Sequence, residues 1–242
     1  MKFRTASGNV VPAITAEQMR QVDRVAMELF DLAILQMMEN AGRTLAQNVI
    51  HMLRSRRGAV VVLAGSGGNG GGGLCCARHL RNHGVPVEVV LSKDPAGLTG
   101  AAARQLRTLR RAGLEPLDLA QAEEVLRGAA LVVDALVGYS LRGAPRGRVD
   151  TLIQLCNRHA RRVVALDVPS GLDATTGEAP GRVVQPERTL TLALPKTGLA
   201  QVAGEIYLAD IGIPPAVFES LGIRYEPPFE QGYWVQIERV TE

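Results

Sequence analysis

Two aspartates each close a short apolar run. Asp134 ends ALVVD (Ala130 to Asp134), and Asp167 ends RVVALD (Arg162 to Asp167). Upstream, Gly65 to Gly73 carries seven glycines in nine positions, broken only by Ser66 and Asn69. A carboxylate at a strand end can hold a cation or move a proton. Bare backbone N–H groups at a helix N-terminus can cradle a phosphate. Gly65, Gly67 and Gly70 fit the dinucleotide spacing G-x-G-x-x-G, which is a weak signal in a run this rich in glycine. The Asn69 amide, the Asp134 carboxylate, the Ser170 hydroxyl and loop carbonyls together offer hard oxygen donors, suited to a hard cation rather than zinc. No histidine or cysteine cluster competes: His51, His79, His83 and His159 fall in or beside helical segments and read as surface or packing residues. No G-x-S-x-G elbow sits at a strand-to-helix turn. A single strand-end aspartate is as often a plain turn former. Two of them beside a glycine loop favour a site.

The elements that must position these groups alternate. Ala59 to Ala64 is a valine-rich strand buried on both faces, the glycine loop follows, and Leu74 opens a helix through Leu80. Before them, Met1 to Ile14 reads as an extended arm. Thr15 caps a first helix, with Gln18 completing a capping box, and Met19, Val22, Val25, Ala26 and Leu29 recur on one face. A second helix spans about Ile34 to Arg54. Its Ala41 and Gly42 would let another backbone approach, and its Glu39 and Asn40 are either solvated or line the site. Val85 to Leu91 is the second strand, and Thr99 to Ala112 a helix whose Arg104, Arg107, Arg110 and Arg111 form a solvated face. A short helix at Leu119 to Arg127 precedes the Asp134 strand. The segment after that strand, ALVGYSLRGAPRGRV, combines Gly138, Gly143 and Gly147 with Arg142, Arg146 and Arg148, which suits a second phosphate grip. Asp150 to His159 is helical. Arg188 to Leu194 and Glu205 to Leu208 are further strands, with Pro195-Lys196-Thr197-Gly198 between them. The tail from Tyr225 to Glu242 is a last strand or a docking arm. Strands alternating with helices imply a parallel sheet with right-handed crossovers. Ligands of such sheets lie outside the strand carboxyl ends, so the glycine loop, Asp134 and Asp167 should converge.

Bulk composition narrows the class. A chain of 242 residues without linker or repeat reads as one domain, residues 1–242. Only 4% of it is aromatic, so small aliphatics do the packing. A net charge of +3 makes no case for nucleic acid. Cys75, Cys76 and Cys156 form neither a disulfide framework nor a zinc site, which favours a reducing cytoplasm. No signal-peptide core is evident, and no apolar run approaches the ~20 residues that span a bilayer. An NAD-dependent oxidoreductase should carry an acid at the end of its second strand. Here Leu91 leads to Ser92 and Lys93, which counts against that class.

Taken in order, MMENAG (Met37 to Gly42), the glycine loop, VVDALVG (Val132 to Gly138), LDVPSGLDATTG (Leu166 to Gly177), TLTLALPKTGL (Thr189 to Leu199) and ADIGIP (Ala209 to Pro214) resemble the NAD(P)H-hydrate epimerases, the YjeF N-terminal domain family. The resemblance runs from Thr15 to about Pro214. It implies a three-layer α/β/α sandwich of Rossmann-like type with a mostly parallel sheet. The implied activity is epimerisation at C6 of hydrated nicotinamide in NADHX and NADPHX. It implies a bound potassium ion, held here by Asn69, Asp134 and Ser170, and commonly a homodimer. It also implies a dehydratase, often fused and here expected as a separate partner, with neither nucleic acid nor membrane involved. Asp167 matches a substrate-binding carboxylate and is the candidate acid–base, with burial needed to raise its pKa for the acid role. Lys196 is the second catalytic candidate, against the plain alternative of a solvated lysine. The substrate-binding set comprises Gly68, Asn69, Gly70, Gly71 and Gly72, then Gly138, Tyr139, Ser140, Leu141, Arg142, Gly143 and Ala144. The family loop GNNGGDG here reads GGNGGGG, so an asparagine has become Gly68 and an aspartate Gly72; Ser140 stands where a second glycine is usual. Losing the Gly72 carboxylate removes a contact worth on the order of 1.5–3 kcal/mol, which implies reduced activity. The other class left open is a non-catalytic nucleotide-binding or protein-interaction module of the same fold.

Overall fold

The computed structural model describes residues 1–54, 58–230 and 232–240. In chain order its elements are β1 (Lys2–Thr5), β2 (Val10–Pro12), α1 (Ala16–Leu29), α2 (Ile34–Leu53), β3 (Val60–Ala64), α3 (Gly68–Asn82), β4 (Val87–Leu91), α4 (Gly100–Arg111), α5 (Ala122–Gly128), β5 (Leu131–Ala135), α6 (Arg148–His159), β6 (Val163–Leu166), β7 (Arg188–Leu192), β8 (Glu205–Ala209), α7 (Pro215–Ser220) and β9 (Trp234–Arg239). The strands form one sheet in the order β2-β1-β9-β8-β7-β6-β5-β3-β4. From β4 to β8 every pairing is parallel, while β9, β1 and β2 extend the sheet antiparallel.

Alternation along the buried strands builds two cores. Val60, Val62 and Ala64 face Leu45 and Val49 of α2, Leu74 and Leu80 of α3, and Leu106 and Leu109 of α4. Val61 and Leu63 face Leu126 of α5 and Leu152, Ile153 and Cys156 of α6. Helices on both sides make this a three-layer α/β/α sandwich. A third cluster packs α1, α7 and the β1–β2 hairpin around Leu208 and Ile237. The capping box at Thr15 forms as its sequence suggests, with Gln18 N–H donating to the Thr15 hydroxyl and Thr15 N–H to the Gln18 side chain.

Two expectations are corrected, and the open reading of the tail is settled as a strand. The N-terminal arm is a hairpin hydrogen-bonded into the sheet through β9. The tail contributes that strand, although residues 231, 241 and 242 lie outside the described set. The helix after β3 begins at Gly68, not Leu74. Glycine costs about 1 kcal/mol per helical position, so propensity argues against these turns; close packing overrides it. A Cβ at Gly70 would lie 1.8 Å from the Gly65 carbonyl oxygen, and one at Gly73 2.6 Å from the Ala135 Cβ. Gly42 of α2 serves the same contact, since its Cβ would meet Cys75 of α3 at 2.5 Å.

Replacement of these glycines should therefore separate by position. Gly70→Ala is expected to destabilise by roughly 3 kcal/mol or more through overpacking against backbone. At Gly68 a Cβ meets no atom within 4 Å, so Gly68→Ala should be neutral or gain about 0.5–1 kcal/mol. Urea unfolding of both variants checks this, and equal stabilities would refute the packing account.

Candidate active site

In the parallel block the chain runs from β3 outward to β4 on one side and to β5 on the other. The crevice beyond the carboxyl ends of β3 and β5 is the switch point where ligands of such sheets bind. The loop into α3 and the loop after β5 meet there. Gly138 forms the floor: a Cβ on it would lie 3.0 Å from Asn69 Oδ1 and 3.1 Å from Asp167 Oδ2. A cavity of about 240 Å³ opens above, lined among others by Gly72, Asn69, Tyr139, Asp167, Lys196 and Asp23.

Asp167 follows β6 with a backbone φ of 71°, in the left-handed region. A non-glycine residue there is strained, and strain of this kind gathers at functional sites. The residue is 3% exposed. It accepts the Lys196 ammonium at 2.5 Å and the Tyr139 backbone N–H at 3.1 Å. Lys196 is fully buried, not solvated, and also donates to the Leu192 carbonyl at 2.8 Å. The two groups are out of solvent and satisfy one another, and breaking such a buried pair by removing one partner is costly.

Asp134 is wholly buried and has no cationic partner among the described residues. Its carboxylate accepts from Ser170 N–H at 2.8 Å, Ser170 Oγ at 2.6 Å and Leu136 N–H at 3.2 Å. Burial pushes its pKa up to about 6, against the lowering effect of the Ser170 and Leu136 bonds. Ser170 Oγ also lies 3.2 Å from the Val137 carbonyl. Hard oxygens thus converge around a carboxylate that only neutral groups now satisfy. Buried charges are otherwise paired or bound to a cation. Asn69, the first polar side chain of α3, has a buried amide nitrogen with no partner among the described residues, a donor left for an acceptor on a ligand. Its oxygen faces Gly138, and the Asp134, Ser170 and Val137 oxygens are of the hard type that suits an alkali cation.

The proposed substrate residues divide. Gly68, Asn69, Gly72, Gly138, Tyr139 and Ser140 line the cavity. Gly70 and Gly71 do not: both are buried in helix packing, against Gly65 and Met38. Leu141, Arg142, Gly143 and Ala144 lie outside the cavity lining, with Arg142 and Gly143 exposed beyond its rim. Of the arginines nearby, Arg148 is bound to Asp94. The four arginines of α4 face solvent as expected.

Two further readings are revised or settled. Glu39 and Asn40 do not line the main cavity; both are partly exposed, the Glu39 side chain by 43%. Asn40 donates to the Ile211 carbonyl at 3.1 Å. Glu39 joins α2 to α3 through Arg78 at 2.5 Å and His79 at 2.7 Å. The second revision concerns clusters of metal-ligand type, since Glu39, Cys75 and His79 do form one. The Arg78 guanidinium already occupies it, 3.4 Å from Cys75 Sγ, and burial pushes the Cys75 thiol up to about 12, with Glu39 adding to it. Sequence reading missed Asp23 altogether. It sits in α1, far from every glycine or strand end, and only its spacing from Met19 on one helix face hinted at an inward position.

The family model described as YjeF-related protein N-terminus matches residues 34–198. A protein of Dehalogenimonas lykanthroporepellens named NAD(P)H-hydrate epimerase is 48% identical over 98% of this chain and 97% of its own length. One of Rhodopirellula baltica with the same name is 34% identical over 84% of this chain and 86% of its own. The bifunctional NAD(P)H-hydrate repair enzyme Nnr of Moorella thermoacetica is 36% identical over 83% of this chain, which spans 40% of that longer protein. The crystal structure of yeast ynu0, YNL200c, superposes with a TM-score of 0.81 at 24% identity, covering 95% of this chain and all of that one. It shows the same fold.

The raised Asp134 pKa carries a pH signature. The folded value, about 6, lies above the ordinary 3.8, so the folded protein holds this proton more tightly than the unfolded chain. Stability therefore falls as pH rises from about 4 through about 6, by on the order of 3 kcal/mol, while the charge has no cation. Chemical denaturation in tetramethylammonium buffers should show this slope in the wild type and its loss in Asp134→Asn. The same slope in both proteins would contradict the assignment.

Proposed function

The chain belongs to the YjeF-related N-terminal family, and from that premise we propose that it is an NAD(P)H-hydrate epimerase, interconverting the R and S forms of hydrated NADH and NADPH at nicotinamide C6. The observation that carries the reading is the Asp167–Lys196 pair, buried at the base of a cavity of ring size beside the N-terminus of α3.

The nicotinamide ring enters the cavity and the pyrophosphate lies at the first turn of α3. The exposed Gly67 and Gly68 leave that turn open, and its free N–H groups favour an anion. The loop Gly138 to Ala144 folds over the remainder of the dinucleotide, with Arg142 and Arg146 facing solvent nearby. Epimerisation needs the C6 hydroxyl to leave and return on the other face, or the ring to open and close. Either route needs a proton donor and acceptor near that carbon. Asp167 accepts and Lys196 donates. A potassium ion held by Asn69, Asp134 and Ser170 would supply fixed positive charge near the phosphates and order both loops. A non-catalytic module has no use for a buried lysine–carboxylate pair, which is costly to hide from water. At Gly72 the family aspartate could be accommodated, since a Cβ there meets only a Leu166 methyl at 2.9 Å; its absence lowers activity without closing the site.

We place the enzyme in a reducing cytoplasm as a homodimer, working with a separate dehydratase specific for the S form. The three cysteines are free and buried. No helix among the described residues is long and apolar enough to cross a membrane.

The decisive assay supplies an equilibrated R and S mixture with an S-specific dehydratase; added protein should speed consumption of the R form. Asp167→Asn should abolish that effect while dinucleotide binding remains within a few-fold. It should also lower stability by roughly 3–5 kcal/mol, because Lys196 loses its partner. Unchanged turnover in this variant would end the assignment. For the cation, potassium added to the tetramethylammonium buffer should raise the melting temperature at pH 7 and flatten the stability slope, in the wild type but not in Asp134→Asn. Equal shifts in both proteins would remove Asp134 from the site.

A further inference from the structure

We propose that Asp23 is a second catalytic acid–base residue, serving the face of the nicotinamide ring opposite to the one served by Asp167. The proposal rests on the epimerase reading above and moves the donor's part from Lys196 to Asp23, leaving Lys196 to hold the Asp167 carboxylate.

Asp23 projects from α1 into the cavity that holds Asp167 and Lys196. One tyrosine touches both carboxylates. The Tyr139 backbone N–H donates to Asp167 Oδ2 at 3.1 Å, and its phenolic O–H donates to Asp23 Oδ2. Tyr139 thus bridges the two carboxyl groups, and both line, with Gly138, one cavity of about 240 Å³. Their surroundings differ in kind. Asp167 holds an ammonium, whereas no lysine or arginine bonds to Asp23 among the described residues. The groups facing Asp23 are Tyr139, Lys196 and Asp167 from across the cavity, and Arg20, one turn back on α1, is taken by Glu17 at 2.5 Å. Burial raises the Asp23 pKa above its ordinary value and the Asp167 charge adds to it, while the Tyr139 bond and Lys196 pull the other way. The phenol is pushed well up by burial and by Asp23, so it stays a donor. It engages one carboxyl oxygen and leaves the other free to carry a proton. One carboxyl bound to an ammonium and one bound only to a phenol, in the same cavity, form an arrangement that can divide acid from base.

The step balances without any further reagent. Protonated Asp23 gives its proton to the C6 hydroxyl. The C6–O bond breaks with its electron pair leaving on water, and the ring nitrogen lone pair forms the N1=C6 bond. Water then attacks C6 from the other face and yields a proton to Asp167, and the N1=C6 pair returns to nitrogen. One proton has moved from Asp23 to Asp167, and solvent exchange restores the starting state. The reverse epimerisation uses the same groups with roles exchanged.

Asp23→Asn keeps the shape and can still accept from Tyr139. In the coupled assay it should lose about a hundredfold or more in kcat, with KM within threefold, and the wild-type fall in kcat toward high pH should vanish. Retention of kcat within threefold, with that alkaline limb intact, overturns the proposal. Inactive wild-type protein would instead overturn the epimerase reading itself. Should Asp23→Asn fail to fold, Tyr139→Phe decides. It removes the O–H from Asp23 but keeps the backbone bond to Asp167, so the alkaline limb must move to higher pH; an unmoved limb overturns the proposal.

Discussion

The close approach of α3 to the sheet is the contact on which the rest of this molecule depends. A helix ordinarily stands off a sheet by the length of its side chains. Here the first turns have none to intervene: Gly70 lies on the Gly65 carbonyl, Gly73 on Val62 and Ala135, and Gly42 of α2 closes onto Cys75 from behind. Dispersion and exclusion of water act over the whole of this seam. The result is a helix N-terminus that points directly into the switch point of a parallel sheet. Without that approach, Asn69 would not reach Gly138 and the crevice would lose its floor.

Three carboxylates near this floor have three different fates, and the difference is electrostatic. Asp167 is held by a buried ammonium. Asp134 is held only by neutral donors and is forced upward by burial. Asp23 is held by a phenol. The same side chain thus sits in three different settings, because neighbouring charge and solvent access differ at each. Tyr139 is central to this division. Its amide serves one acid and its hydroxyl another, so the loop after β5 sets the spacing between them.

Much of this was legible in the sequence, and for identifiable reasons. Apolar runs ending in aspartate marked β5 and β6, and the topology rule for parallel sheets brought Asp134, Asp167 and the glycine loop to one rim without any coordinate. The start of α3 was not legible, because glycine propensity favours a loop and only tertiary contacts reverse it. Gly70 and Gly71 look like ligand-binding positions in the motif, yet they pack against Gly65 and Met38; a pattern of glycines does not say which side the missing side chain would have faced. Asp23 carried no signal beyond its spacing from Met19 on one helix face. Its role comes from a helix laid across the site from more than a hundred residues away in sequence, and no spacing rule reaches that far.

That helix also explains why Lys196 can be buried at all. Ile14 pairs in parallel fashion with Lys196, with Ile14 N–H donating to the Pro195 carbonyl and Thr197 N–H to the Ile14 carbonyl, each at 2.9 Å. The Thr197 hydroxyl donates to the Thr175 carbonyl at 2.6 Å, and Ala16 N–H to the Thr175 hydroxyl at 3.0 Å. The backbone of the lysine is therefore fixed between the N-terminal segment and the turn after β6, and its side chain has one direction left, toward Asp167. The same segment continues into α1 and supplies Met19 and Asp23 to the cavity wall. Residues before the matched family span of 34–198 thus build one side of the site. Positioning the ammonium and positioning the third acid are one structural act, since a shift of Ile14 along Lys196 would displace both.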